Sequence, residues 1–84
     1  MAKRRIKVVE RKLGKEGFPF GQAIAADKLI EIDPRQDAPN YMDTLVHETI
    51  HIVRPELSEE AVLELANKVS TVLWDQGYRK VILK

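Results

Sequence analysis

The sequence predicts an α+β fold, a sheet of three to four strands packed on two helices. Three observations carry this. The alternating, β-branched stretches fall in the first 33 residues. Two long stretches of helical period follow, over about 41–53 and 58–76. Strands gathered at one end and helices at the other indicate α+β rather than alternating α/β. At 84 residues the chain is read as one domain, 1–84.

Residues 4–13 carry Ile6 and Val8 on one side of an extended segment, which predicts the first strand. Residues 13–21 hold Gly14, Gly17, Pro19 and Gly21, so a loop follows. Gln22–Ala26 is a weak second strand. Lys28–Asp33 is a better third, paired with the second through a turn near Asp27. Pro34–Pro39 reads as a polar connection. Asn40 is the expected N-cap of the first helix, with Asp43 in a box-like position, and Arg54-Pro55 ends it. Ser58 caps the second helix, Glu59 and Glu60 suit its positive N-terminus, and Gly77 is a natural C′ residue. Val81-Ile82-Leu83 is a short strand or an apolar tail.

Composition narrows the class. Hydrophobic residues make up 44% of the chain and charged residues 32%, as in a globular protein rather than a disordered one. The absence of cysteine removes disulfides, thiolate zinc ligands and thiol nucleophiles together. No apolar run reaches the roughly 18–20 residues that span a bilayer. No apolar stretch follows the basic N-terminus as in a signal peptide, so the chain is expected to be unexported and cytoplasmic. Residues 1–16 hold seven Lys or Arg against Glu10 and Glu16, and the remainder is net acidic. This basic segment reads first as a solvated strand face whose lysines discourage edge pairing, and second as a nucleic-acid contact.

The most specific feature is His47-Glu48-Thr49-Ile50-His51, an H-E-x-x-H pentapeptide. Helical residues four apart share a face, so His47 and His51 can present two imidazoles to one metal ion. Glu48 stands about 100° around the helix, within reach of a water on that ion. This is the arrangement of zinc peptidases: zinc activates the water and the carboxylate takes its proton. The apolar arc of Met42, Leu45, Val46, Ile50 and Val53 lies opposite, which places the histidines on the polar side. Two surface histidines on a solvated face are the plain alternative.

A catalytic zinc takes three protein ligands. With no third histidine after His51 and no cysteine, the third is a carboxylate: Glu56, Glu59, Glu60 or Glu64. The second helix has an apolar stripe of Val62, Leu65, Ala66, Val69, Val72 and Leu73. Glu59 flanks that stripe, whereas Glu60 and Glu64 face away, so Glu59 is preferred and Glu60 is the runner-up. Asp43, one turn before His47, is a candidate to orient its ring, or simply a first-turn carboxylate. Tyr41, Tyr78 and Arg79 are candidates to stabilise an oxyanion. Trp74, Phe18 and Phe20 read as core or cleft wall.

Thr44–His51, Pro55–Val62 and Trp74–Arg79 together resemble the short H-E-x-x-H proteins of bacteria and phages, which are similar to minigluzincins and, more distantly, to ImmA/IrrE-type metallopeptidases. The resemblance covers about residues 28–79. It implies a zincin-like domain, Zn2+ held by His47, His51 and a glutamate from the following helix, Glu48 as general base, and a peptide or protein substrate. It also implies that Lys28–Asp33 is the edge strand that pairs with an extended substrate. In larger gluzincins an acidic residue stands four after the ligand glutamate. Leu63 stands four after Glu59 and Glu64 four after Glu60, which favours Glu60, against the helical wheel. The expected activity is zinc-dependent peptide-bond hydrolysis. The alternatives are a zinc-stapled module without catalysis and a nucleic-acid or protein-partner module. The same donor set also holds iron or cobalt.

Overall fold

In the computed structural model, which describes residues 5–14 and 20–80, the elements run β1 (Lys7–Glu10), β2 (Gly21–Ile24), β3 (Leu29–Ile32), α1 (Ala38–Val53) and α2 (Glu59–Asp75). The fold is α+β: a three-stranded mixed sheet in the order β1-β3-β2, with two helices. The expected strand at Val81–Leu83 lies outside the described residues.

β1 is shorter than the 4–13 expected: among the described residues Lys7–Glu10 pairs in parallel with Leu29–Ile32, and the Arg11 N–H adds one more bond to the Ile32 carbonyl at 3.0 Å. β2 pairs antiparallel with β3, Gly21 opposite Ile32 and Ile24 opposite Leu29. The predicted turn near Asp27 is a 3₁₀ turn over Ala25–Asp27. It is closed by Lys28 in the left-handed region at φ 49°.

One expectation is corrected here. Lys28–Asp33 is not an edge strand: β3 is central, paired on both sides. Its apolar alternation explains the placement. Ile30 and Ile32 point to the same face, are fully buried, and form the core with Ile52 of α1, flanked by Ile6, Ala23, Tyr41 and Leu45. Among the described residues, the sheet edges are β1 and β2.

Just past β3, fully buried Asp33 ties the chain together. Its carboxylate accepts from the Leu13 N–H at 3.0 Å, from the Arg35 N–H at 2.9 Å and from the Arg35 guanidinium at 2.6 and 2.9 Å. The guanidinium beside it holds the carboxyl well below the usual range, aided by the two backbone N–H donors and against its burial.

α1 begins earlier than expected. Asp37, not Asn40, is the N-cap, accepting from the Asn40 N–H at 3.0 Å. Pro39 read as part of the connection, but the first helical turn tolerates proline because its missing N–H would have no intrahelical partner there. α1 ends at Val53 before Arg54-Pro55, as expected.

α2 is capped by Ser58, whose hydroxyl accepts from the Ala61 N–H at 3.2 Å. Its far end is a Schellman motif, in which Gly77 N–H donates to Trp74 and Tyr78 N–H to Leu73, both at 3.0 Å. Gly77 has φ 89°, the left-handed position where glycine carries no Cβ penalty.

α2 packs on α1 rather than on the sheet. Its buried seam is Val62, Ala66 and Ser70. Leu65, Val69 and Val72 of the predicted stripe stay exposed. Ala66 and Ser70 are small, so little apolar volume fills this seam. Among the described residues, no helix is long and apolar enough to cross a membrane.

Candidate metal centre

His47 and His51 lie one turn apart on α1, and the Arg54–Ser58 turn brings the first residue of α2 back over them. The Nε2 atoms of the two histidines are 3.2 Å apart. Glu59 Oε1 lies 2.7 Å from His47 Nε2 and 3.2 Å from His51 Nε2. Among the described residues this is the group of histidines and carboxylates whose ligand atoms converge.

The donor set suits a zinc-sized ion. Tetrahedral ligands about 2.0–2.1 Å from zinc stand roughly 3.3 Å from one another. Both 3.2 Å separations are close to that value, and the 2.7 Å one asks Glu59 to move outward by about half an ångström. The Glu59 side chain is 63% exposed and free to do so, whereas those of His47 and His51 are only 14% and 27% exposed. The histidines lie on the polar side of α1, where the helical wheel put them, but not on the open solvated face of the plain alternative. They are tucked under the start of α2, with Glu59 as an outer third arm. Two imidazoles and one carboxylate make three donors, the number a catalytic zinc takes from its protein.

The other candidate carboxylates stand outside the converging group. Glu56 pairs with Arg54, and Glu64 stands 3.8 Å from Lys68 along α2. Glu60 is exposed and outside the converging group. Asp43 accepts from Ser70 Oγ at 3.0 Å, so it bridges the helices instead of orienting His47. Tyr41 donates to Glu10 at 2.6 Å and also meets Lys80, and Arg79 stacks 3.3 Å above the Trp74 ring. Tyr41, Trp74, Tyr78 and Arg79 line a separate cleft of about 970 Å³ that includes none of the three converging residues.

Glu48 is half-buried on the β2 side of α1. Burial pushes its carboxyl up, the nearby His47 and His51 draw it back, and Glu59 raises it further. Gly21 at the start of β2 passes close to both Thr44 and Glu48, an approach the sequence reading missed. One signal was available: glycine in a strand often marks a close backbone approach.

Comparison with protein-family models, curated proteins and solved structures finds no match to this chain. Its chemistry is therefore argued from the site.

Proposed function

We propose that the protein is a small zincin-like, zinc-dependent metallopeptidase that hydrolyses peptide bonds in a peptide or protein substrate within the cytoplasm. The observation that carries this reading is the convergence of His47, His51 and Glu59 with Glu48 next to them in the H-E-x-x-H order. His47 and His51 would hold the ion from α1 and Glu59 from α2. When bound, the ion supplies a water of lowered pKa and polarises the scissile carbonyl.

The remaining work falls to the chain. Glu48 takes the proton of the attacking water and hands it to the departing amine. β2 is the strand beside α1, and among the described residues it pairs only with β3. Its outer edge, rather than β3, is where an extended substrate would add as a further strand.

The test is Glu48→Gln against a peptide library, with bound zinc measured alongside. Hydrolysis should fall by at least about 100-fold, the low end of a general-base contribution, with one zinc per chain retained. Undiminished hydrolysis in that variant removes Glu48 from the mechanism.

A second reading, a zinc-stapled module without catalysis, draws on the ligands coming from both helices. An ion there would bridge α1 to α2 whatever else it did. Zinc binding with no cleavage of any peptide would favour it.

A further inference from the structure

Gly21 opens β2 opposite Ile32, and its backbone passes close to α1. A Cβ at this position would lie 2.6 Å from Thr44 Cγ2, 3.3 Å from the Glu31 carbonyl oxygen and 3.4 Å from Glu48 Cγ. The glycine is thus needed for proximity, not for an unusual φ. Thr44 cannot easily turn aside. A helical threonine has only two χ1 wells open to it, and the hydroxyl donating to Gln36 Oε1 at 2.8 Å holds one of them. The amide group of Gln36 in turn donates to the Asp33 carbonyl at 2.9 Å and the Phe20 carbonyl at 3.2 Å. One carboxamide therefore joins the residue before β2, the residue after β3, and α1 one turn before Glu48.

From this we infer that Gly21, Thr44 and Gln36 are positioning residues for Glu48. They hold β2 against α1 so that the Glu48 methylenes have one place to lie, and the carboxylate is delivered beside the His47/His51/Glu59 group. The inference rests on the peptidase reading for its kinetic consequence, but its geometric content stands apart from it. Thr44 acts through the hydroxyl that ties α1 to Gln36, Gln36 by tying that hydroxyl to the Phe20 and Asp33 carbonyls, and Gly21 by leaving room for the Thr44 methyl group and the Glu48 methylenes.

The experiment is a rescue cycle on the zinc-loaded full chain: Gly21→Ala, then Gly21→Ala with Thr44→Ser, with Gly77→Ala as a control. The Gly21→Ala variant should keep one zinc per chain and its KM while kcat drops roughly 10- to 100-fold, as for an ångström-scale misplacement of a reacting group. Thr44→Ser deletes the methyl group at 2.6 Å and keeps the hydroxyl, so the double variant should recover most of kcat. Gly77→Ala strains a left-handed residue with open space around it and should lower Tm without touching kcat. NMR gives a readout independent of activity. Cross-peaks from the Gly21 Hα protons to the Thr44 methyl and Glu48 γ protons should be present in the wild type, be shifted or lost in Gly21→Ala, and return in the double variant.

Wild-type kcat in Gly21→Ala, a double variant that regains Tm but not kcat, or an equal kcat loss in Gly77→Ala each overturns the inference. If the wild type hydrolyses nothing, the peptidase reading fails and the cross-peaks alone decide. Glu48 signals indifferent to Gly21→Ala would then overturn the positioning role.

Discussion

Among individual residues, the choice between Glu59 and Glu60 shows what one helical step does. The two are neighbours in sequence and about 100° apart around α2. Glu59 faces back over α1 and reaches both imidazoles, whereas Glu60 points to solvent. Glu59→Gln should weaken zinc binding by more than about 100-fold, beyond the 10- to 100-fold cost of losing a supporting hydrogen bond to a ligand. Glu60→Gln should leave the affinity at the wild-type value. A zinc competition titration on the two variants checks this, and equal losses would break the assignment. The helical wheel pointed to Glu59, while the acidic residue four after Glu60 argued the other way. Leu63 in that fourth position is exposed and offers no acceptor, so this chain lacks the supporting carboxylate expected there.

For the secondary-structure elements, the site depends on how α2 starts. Ser58 ends the Arg54–Ser58 turn, caps the helix, and so fixes the first turn in which Glu59 sits. Removing the cap should cost about 1 kcal/mol, the usual value for such a hydroxyl, or a Tm fall of roughly 4–8 °C in a domain of this size. Ser58→Ala should also weaken zinc binding, because Glu59 occupies the turn that frays. Thermal melts of the apo and zinc-loaded variant check both. The cap was legible in the sequence because Ser58 directly precedes two glutamates and a helical apolar period. The start of α1 was not, because Pro39 reads as a breaker by type and becomes acceptable only by its place in the first turn. The exposed Leu65, Val69 and Val72 teach the same lesson. Helical period identifies an apolar face, but which part of it is covered depends on the neighbour, and here α1 meets the narrow seam of Val62, Ala66 and Ser70.

Taking the molecule as a whole, an ion held by His47, His51 and Glu59 would add to folding free energy, because the unfolded chain does not bring those three side chains together. At free zinc of about 100 times Kd the native state gains about 2.7 kcal/mol, which for this size corresponds to a Tm rise of roughly 10–20 °C. A chelator should reverse it, and His47→Ala/His51→Ala should abolish the difference. A melting curve indifferent to zinc and chelator would speak against any ion at this place. The sequence by itself determined what depends on local spacing: two helices, the strand-forming stretches, the Ser58 and Gly77 ends, and the four-residue interval that puts His47 and His51 on one face. Tertiary structure alone decided which strand lies at the centre, that α2 rests on α1, that Asp43 turns to Ser70, and that Gly21 passes against Thr44 and Glu48. Spacing along one element is set by its own helical or extended geometry. Contacts between elements depend on which faces bury together, and many pairings satisfy the same local pattern until packing selects one.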